Sequence, residues 1–304
     1  MIHEYALDPV VLKSWSSNER DYSEFMREYG VGSPRIISSF PKKKGSKLRS
    51  YLLREGDVDD SSLQGQRYLE MVIKIVESLI IRDSHVPASD NWSENTKAEN
   101  EQSPFDVILS SEEINTPRNI TPESMYKMDS IWNHKSQLNM PRTRDGLEQT
   151  VKNLLRLATN KVVIVDAFGW NRRSIDTMVA FIEFITANRV SEKLPDIYLY
   201  YKEKYGRSTP PASRVKQQII DQLDAGRLNT NLYVYELKEK NGSDVFHNRC
   251  IFTEHGGITL GHGIDISGDP AHSDEVTLMS NEVYEKKQEQ FSGDACFEIV
   301  SRSE

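Results

Sequence analysis

Cysteine, long apolar runs and excess positive charge are all scarce in this chain of 304 residues. The two cysteines, Cys250 and Cys296, form no Cys-x-x-Cys pair, so a disulfide framework and a cysteine-based zinc site are excluded. No apolar stretch reaches about 18 residues, and the residues after Met1 show no signal-peptide pattern. We therefore expect a protein of the cytoplasm that does not span a membrane.

The charge balance of the chain is acidic. There are 38 Lys and Arg residues against 46 Asp and Glu residues, which gives a formal net charge of −8 and a pI near 5.5. This balance excludes proteins that coat nucleic acid or anionic membranes by bulk electrostatics, because such proteins are basic. Any binding of phosphate groups must therefore be local.

One local basic segment, residues 41–47, carries four lysines in seven residues. Lys42, Lys43 and Lys44 could contact nucleic-acid phosphates and so position a substrate for a site elsewhere in the chain. The alternative is an exposed hairpin tip, because runs of like charge are generally solvated loops. The sequence leaves both interpretations open.

The pattern of apolar residues predicts two domains. With 37% hydrophobic and 28% charged residues, the chain is long enough for two ordinary globular domains. From about Thr143 onward, helix-like and strand-like segments alternate, which is typical of an α/β domain. We place that domain at residues 141–304 and a smaller α+β domain of unknown role at residues 1–140.

Capping residues and apolar periodicity predict the elements of the C-terminal domain. Helices are expected to begin at a capping box of Asp145 with Glu148, at Asn171 or Ser174, and at Pro210 and Pro211, with Gly226 near the end of the last. Strands are expected over 161–168, 196–201, 231–237, the segment that carries residue 247, and 273–278. A turn at residues 240–243 precedes the strand with residue 247, and a charged final helix covers 282–291.

Fewer elements are predicted in the N-terminal domain. Helices are expected over 18–29 and 61–81, with a strand over 35–40 and a polar surface loop or linker over 84–103. The second helix has an apolar stripe that is expected to be core, formed by Tyr68, Met71, Val72, Ile75, Val76, Leu79 and Ile80.

Residues 245–265 bring together residue types that suit a phosphodiester. His247 and Arg249 are two residues apart and would share one face of a strand. A neutral imidazole can attack phosphorus, and a guanidinium can grip and neutralise the equatorial oxygens. Glu254 could orient a histidine through a hydrogen bond. The alternative is that His247 caps a strand while Arg249 pairs with a surface acid.

The spacing of these residues resembles the signature of the phospholipase D superfamily. In that signature, His-x-Lys is followed after four residues by Asp, after six more by Gly-Ser, and then by a nearby Asn. With Arg for Lys and Glu for Asp, the matching positions are those of His247, Arg249, Glu254 and Gly261. His262 stands where Ser is expected, and Asp265 lies one position past the usual Asn. The resemblance covers about the last 160 residues.

Within the superfamily, the chain looks most like one subgroup. This is the phospholipase-D-like domain at the C-terminus of a eukaryotic protein that carries a microtubule-interacting-and-transport domain. Its His-Asp-Arg and Gly-Arg-Gly-Leu-Asp strings are similar to residues 247–249 and 261–265 here. That domain is thought to bind acidic membranes, whereas bacterial members of the superfamily include nucleases, several of them in anti-phage systems.

The resemblance implies a phosphodiesterase that needs neither metal nor cofactor. Superfamily members use one His as nucleophile and a second, facing His as general acid, which requires two motif copies around one cleft. Because we find one copy, we expect a homodimer that brings two copies of His247 together, with a monomeric binding face as the alternative. The implied catalytic residues are His247, Arg249 and Glu254. The implied substrate-binding residues are Gly261, His262 and Asp265, to which the local basic segment adds Lys42, Lys43 and Lys44.

Three functions stay open from the sequence. The first is a dimeric nuclease. Analogy with the bacterial members of the superfamily suggests a role for it in prokaryotic anti-phage defence. The second is a non-catalytic module that binds nucleic-acid or phospholipid phosphates. The third is a subunit whose N-terminal domain docks onto a larger defence or repair assembly.

Overall fold

The computed structural model describes residues 1–85, 89–127, 129–187, 189–204, 209–223, 229–242, 245–247, 249–292 and 296–304. These residues divide into two compact units, one of Met1–Lys135 with Val190–Glu192 and one of Ser136–Arg189 with Lys193–Glu304. The division follows residue 135 and not residue 140, because Gln137–Pro141 pairs with a strand of the C-terminal sheet.

The N-terminal unit combines helices with a parallel sheet of four strands within the described residues. The strands, in the spatial order β2-β1-β3-β4, are β1 (His3–Leu7), β2 (Arg35–Ile37), β3 (Val107–Leu109) and β4 (Asn119–Ile120). The helices are α1 (Pro9–Ser17), α2 (Glu19–Glu28), α3 (Gly45–Gly56), α4 (Leu63–Glu77), α5 (Trp92–Gln102) and α6 (Asp129–Trp132), with a 3₁₀ turn at Met125–Lys127. β1, β2 and β3 are largely buried, as parallel strands usually are.

Both helices predicted in this unit are confirmed with shorter bounds. The side chain of Asn18 caps α2 by accepting hydrogen bonds from backbone N–H groups, and the hydroxyl of Ser62 caps α4. The apolar stripe of α4 contributes to the core through Tyr68, Met71, Val72 and Ile75.

Two N-terminal expectations are wrong. Segment 84–103 is not one surface loop, because it contains α5, which the side chain of Asn91 caps and whose Trp92 and Thr96 are buried. Residues 86–88 of that segment lie outside the described residues. The basic segment 41–47 is not a hairpin tip, since residues 41–44 lie in the connection from β2 to α3 and residues 45–47 begin that helix, with Lys44 as its N-cap residue.

The C-terminal unit is built on a mixed sheet of eight described strands in the order β12-β8-β7-β6-β9-β10-β11-β5. The strands are β5 (Gln137–Pro141), β6 (Lys161–Val165), β7 (Asp196–Lys202), β8 (Leu232–Glu239), β9 (Cys250–Thr253), β10 (Gly256–Leu260), β11 (Ser273–Leu278) and β12 (Phe297–Ser303). The helices are α7 (Arg144–Leu157), α8 (Arg172–Thr186), α9 (Ala212–Ile220) and α10 (Asn281–Gln290). The predicted α/β class with a mixed sheet and flanking helices is confirmed.

Strand direction changes in the middle of this sheet. β6, β7 and β8 are parallel, and α8 and α9 lie in the connections between them, as parallel neighbours require. β9 runs antiparallel to β6, and β10 and β11 follow as antiparallel neighbours. The carboxyl ends of β6, β7, β8 and β10 and the amino ends of β9 and β11 therefore meet along one edge, which we call the site edge.

The helix starts of this unit agree with the sequence in part. Asn171 caps α8 as predicted, and α9 begins directly after Pro211. The capping box at Asp145 is wrong, because α7 is capped by the hydroxyl of Thr143, which accepts a hydrogen bond from the N–H of Gly146. The predicted helix end at Gly226 and the end of the turn at residue 243 lie outside the described residues.

Candidate active site at the carboxyl edge of the sheet

Both residues of the His-x-Arg string lie at the site edge, but they precede β9 and are not part of a strand. β9 begins at Cys250, which pairs with Val165, the last residue of β6. His247 lies three residues earlier in the connection from β8, where its backbone N–H bonds to the carbonyl of Val245, and its side chain is exposed. The string therefore reaches the edge as a loop, which leaves the imidazole open to solvent.

A cavity of about 350 Å³ opens beside His247. We call it the His247 cavity. Among the described residues, its lining consists of Ala167, Phe168, Trp170, Lys202, Glu203, Lys204, Phe246, His247 and Arg249. These residues follow the carboxyl ends of β6 and β7 or precede β9, and crevices at such strand ends are where open α/β sheets bind ligands. Three cations and one acid line the cavity, so it suits an anion.

Arg249 is fixed on two sides. Its Nη1 donates a hydrogen bond of 2.8 Å to the carbonyl oxygen of Gly261, directly after β10. Its guanidinium carbon lies 5.6 Å from the ring centroid of Phe168, a cation–π contact. The bond to Gly261 uses one of the five N–H donors of the guanidinium, and the others are chemically able to grip a phosphate.

Asp166 holds the loops around this arginine together. The residue follows β6, is buried, and accepts hydrogen bonds of 2.8 Å from the N–H groups of Phe168 and Ile264. Burial raises the pKa of its carboxyl, while the two hydrogen bonds and the charge of Arg249 oppose that rise. Gly263 fits against it because a Cβ there would lie 2.3 Å from Asp166 Oδ2.

An ion pair supports the loop that carries His247. Lys202 Nζ lies 2.6 Å from Glu239 Oε1, and the same oxygen accepts a 2.7 Å hydrogen bond from the N–H of Phe246. The hydrogen bond from Lys202 is the main cause that lowers the pKa of Glu239, to which the nearby His247 also contributes. Glu239 therefore fixes the residue before the imidazole and orients one cation of the cavity.

Gly261 and His262 lie next to a buried acid on β11. The carboxylate of Asp274 accepts hydrogen bonds from the N–H of His262, and His262 Nδ1 lies 3.2 Å from Asp274 Oδ1. A Cβ at Gly261 would lie 2.5 Å from that same oxygen, so glycine allows the close approach. The side chain of His262 is 60% exposed, and the residue is not part of the described lining of the His247 cavity.

Asp265 is held by the arginine that follows β5. Its carboxylate pairs with Arg142, whose Nη2 also donates a 3.2 Å hydrogen bond to the backbone carbonyl of Asp265. This pair connects the turn after β10 to the residue that follows β5. The pair holds this turn in place, and a direct contact of Asp265 with substrate stays a prediction from the sequence.

Glu254 is also separated from the candidate site. It lies in the turn after β9 and accepts hydrogen bonds from the N–H groups of Thr159 (2.5 Å), Asn160 (3.0 Å) and Lys161 (3.4 Å). Lys161 begins β6, whereas the His247 cavity lies beyond the other end of that strand. Glu254 therefore does not orient His247, and its contacts are those of a structural residue.

The pKa of Glu254 reflects this position. Burial acts to raise it, but the neighbouring His255 and the hydrogen bonds from Thr159 together hold it below its ordinary value. The ionised carboxylate is thus the form that the folded protein favours.

The basic segment belongs to the N-terminal unit. Lys43 and Lys44 are exposed, and Lys42 Nζ lies 4.7 Å from the ring centroid of Tyr51. No acidic residue occupies the first turn of α3, and the side chain of Lys44 makes no capping hydrogen bond. The N-terminus of α3 is the positive end of the helix dipole, so neither the dipole nor an acidic side chain of the first turn offsets the positive charge of these lysines.

Neither a metal cluster nor a membrane-spanning helix occurs among the described residues. No group of three or more His, Cys, Asp and Glu side chains in that part of the chain could hold a metal ion. No helix there is both long enough and apolar enough to cross a membrane.

Comparison with known proteins gives likenesses in structure alone. No protein-family model and no curated protein matches the sequence. One similar structure is a phospholipase D family member, Nuc from Salmonella typhimurium, at 10% identity over 55% of this chain and 98% of that chain, with a TM-score of 0.35. Another is TrmBL2, an archaeal chromatin protein described as having a novel mode of DNA binding, at 12% identity over 56% of this chain and 57% of that chain, with a TM-score of 0.28. Both TM-scores are below 0.5, so neither likeness identifies the function of the site.

Sequence reasoning missed the residues that support the string. Asp166, Lys202 and Glu239 each stand at or just after the end of a parallel strand, and polar residues at such ends are a signal that could have found them. Phe168 carried no such signal, because its importance depends on where Arg249 lies across the edge.

Proposed function

We propose that the C-terminal unit is a phospholipase-D-like phosphodiesterase and that its substrate is nucleic acid, which makes the protein a nuclease. The observation that carries the proposal is an exposed imidazole, His247, in a cavity lined by Arg249, Lys202 and Lys204. A nucleophile beside fixed cations is the arrangement that a phosphodiester anion needs.

The proposed reaction has two displacement steps. A ring nitrogen of His247 attacks phosphorus, the bond from phosphorus to the leaving oxygen breaks, and a general acid gives that oxygen a proton. Water then attacks the phosphohistidine and gives its proton to the deprotonated general acid, the N–P bond breaks, and the imidazole of His247 is released. Arg249 and the two lysines stabilise the negative charge on the phosphate oxygens in both steps.

The general acid is proposed to come from a second copy of the chain. Among the described residues that line the cavity, His247 is the sole imidazole, and the two steps need a second one. A two-fold dimer would supply it as the symmetry-related His247. Sedimentation of the 34.9 kDa chain should then give about twice that mass, and a strictly monomeric, active enzyme would contradict this part of the proposal.

Nuclease activity is tested in EDTA with single-stranded and duplex DNA and RNA. Wild-type protein should cut at least one of them, and His247→Ala and His247→Gln should each abolish cleavage without changing the fold, since the side chain is exposed. His272→Ala is the matched control, because it removes an imidazole that is also exposed but does not line the cavity. Cleavage that persists in both His247 variants would refute the proposal.

A second function is a non-catalytic module that binds phosphate groups of nucleic acid or lipid. It is favoured by the positions where the sequence departs from the superfamily signature. His262 replaces Ser and is held by Asp274, while Asp265 is paired with Arg142. Binding of nucleic acid or anionic vesicles without cleavage under any condition would select this function. A place in the cytoplasm, a role in anti-phage defence and docking of the N-terminal unit onto a larger assembly stay predictions from the sequence.

A further inference from the structure

We propose that the substrate is a single-stranded nucleic acid whose chain continues from the His247 cavity into a second cavity between α8 and α9. This inference rests on the proposed function and names the substrate class of the same site. It excludes a phospholipid and an intact duplex as the preferred ligand.

The second cavity adjoins the first through a shared side chain. It has a volume of about 810 Å³ and is lined by residues at the start of α8, before α9 and along α9. Trp170 lines both cavities, so the two are neighbours, and the proposed strand extends past this side chain from one to the other. We call the second cavity the α8–α9 groove.

The chemistry of the α8–α9 groove favours a polyanion over an acyl chain. Arg172 and Arg214 are both exposed and face the groove from different helices, and the amides of Gln218 and Gln222 lie beside them, with Asp221 as the described acid. A lipid tail in the groove would bury these guanidinium and amide groups against hydrocarbon, which is costly. Guanidinium groups spaced away from the reacting phosphate fit the next phosphates of a nucleic-acid strand.

Aromatic side chains beside the cations favour a strand whose bases are unpaired. Phe168 is 44% exposed and lies next to the guanidinium of Arg249, while Lys204 Nζ lies 5.9 Å from the ring centroid of Trp170. A cation for a phosphate and a ring face for a base are the two parts of a single-nucleotide contact. Bases in a duplex are already stacked on their neighbours, so such rings recognise single strands.

Binding of a fluorescent oligonucleotide of about 12 nucleotides tests the groove. The full chain carrying His247→Ala is used in EDTA so that cleavage does not interfere, and DNA and RNA of the same sequence are compared. Adding Arg172→Gln with Arg214→Gln should make the negative slope of log affinity against log salt less steep by about 1.4, since each neutralised phosphate of a single strand accounts for about 0.7. An unchanged slope for both probes would overturn the inference.

A matched control exists on the same two helices. Arg173→Gln with Lys216→Gln removes the same charge from α8 and α9, but neither residue is part of the described lining of the groove. This control should keep the slope of the parent protein. A decrease equal to that of the groove variant would reveal a nonspecific charge effect and overturn the assignment.

The aromatic contact is tested with Phe168→Leu, which keeps an apolar side chain and removes the ring. Affinity for the single strand should fall about 5- to 150-fold, the range measured for loss of one stacked base. The single strand should also bind more tightly than its own duplex and than vesicles of anionic phospholipid. Equal or tighter binding of the duplex or the vesicles would overturn the single-strand assignment.

Hydrolysis of a small chromogenic phosphodiester separates this inference from the proposed function. Such a diester is too short to reach the groove, so its His247-dependent hydrolysis by the otherwise wild-type chain tests the chemistry alone. Hydrolysis together with groove-independent strand binding would refute the inference and leave the proposed function standing. Groove-dependent binding without any His247-dependent hydrolysis would refute the proposed function instead.

Discussion

Arg249 donates a hydrogen bond from its Nη1 to the carbonyl oxygen of Gly261 at 2.8 Å. The two residues belong to the two separate strings that carry the resemblance to the phospholipase D signature, twelve positions apart in the chain. The β9–β10 hairpin folds the second string back beside the first, so both reach the site edge together. The guanidinium is thereby part of the framework of the site as well as a candidate phosphate ligand.

Arg249→Lys is expected to reduce cleavage although the charge is kept. A lysine ammonium has no planar fork, so it cannot hold the carbonyl of Gly261 and a phosphate in the same geometry. We expect kcat/KM to fall by roughly 10- to 100-fold, which corresponds to about 1.4–2.7 kcal/mol of transition-state stabilisation. Steady-state kinetics on a single-stranded oligonucleotide measures this.

The control for that variant is Arg173→Lys, an exposed arginine of α8 that does not line the cavity. It should leave kcat/KM unchanged. Wild-type kinetics in Arg249→Lys would show that the guanidinium fork is dispensable and would remove this residue from the phosphate site.

Gly263→Ala is expected to destabilise the site edge. Gly263 has φ +86°, and a Cβ there would lie 2.3 Å from Asp166 Oδ2, so the carboxylate must move away from its N–H donors. Backbone strain costs roughly 1–2 kcal/mol, and the disturbed hydrogen bonds add roughly 1–3 kcal/mol. Chemical denaturation measures the decrease in the free energy of unfolding.

Gly242→Ala is a control that separates the two costs of the Gly263→Ala substitution. Gly242 also has a positive φ, +79°, but nothing lies within 4 Å of the added Cβ. The free energy of unfolding of the Gly242→Ala protein should therefore fall by the cost of backbone strain alone. If Gly242→Ala and Gly263→Ala lose the same free energy, the close packing against Asp166 has no energetic role.

Glu254→Gln is expected to lower stability and to flatten its dependence on acid pH. The folded pKa of Glu254 is below the ordinary value of 4.5, so its contribution is fully present above that value. It is lost as the pH falls from there through the folded pKa, because the unfolded chain takes up the proton first. At neutral pH, the substitution should cost roughly 1–3 kcal/mol through the weakened bonds to the backbone of residues 159–161.

Urea unfolding between about pH 3 and pH 7 measures this effect, with Glu275→Gln as the control because that side chain is exposed on β11. The control should follow wild type at every pH. A Glu254→Gln protein with unchanged stability but reduced cleavage would contradict the structural role and restore a catalytic one.

The basic segment gives a prediction about salt. Changing Lys42, Lys43 and Lys44 together to Gln should make the negative slope of log affinity against log salt less steep by about 0.7 for each single-strand phosphate that these lysines neutralise. Affinity should fall equally for different sequences, since phosphate contacts do not distinguish bases. Fluorescence anisotropy at several salt concentrations measures both quantities.

Three other lysines of the same unit provide the charge-matched control. Lys97, Lys127 and Lys135 are exposed and lie outside residues 41–47, so their joint change to Gln should leave the slope unchanged. Identical slopes in both triple variants and in wild type would make the segment a solvated connection between β2 and α3.

Local signals in the sequence were enough for much of the C-terminal sheet. The apolar run that begins at Lys161 predicted β6, and a capping Asn171 predicted the start of α8, because both features act within a few residues. α5 was missed because its stabilising face is partly polar: Asn95 and Glu99 are buried there beside Trp92. A polar residue that is buried through long-range partners looks the same in sequence as one that is exposed.

The candidate site was predictable to the level of its two central residues. His247 and Arg249 were found by type and spacing, whereas Glu254 was assigned by spacing alone and lies at the opposite end of β6 from the cavity. Asp166 could not be assigned its role, because its hydrogen bond to Ile264 spans 98 positions of the chain. Such contacts depend on strand order, which local patterns do not encode.

The covalent intermediate on His247 is the most direct test of the proposed chemistry. Enzyme and a single-stranded oligonucleotide are mixed in EDTA, quenched during turnover in alkaline denaturant, and digested for peptide mass spectrometry. We predict a nucleotidyl phosphate attached to the peptide that contains His247, and no adduct or product with His247→Ala. Rapid turnover without any adduct on that peptide, or cleavage that survives the substitution, would contradict the proposed chemistry.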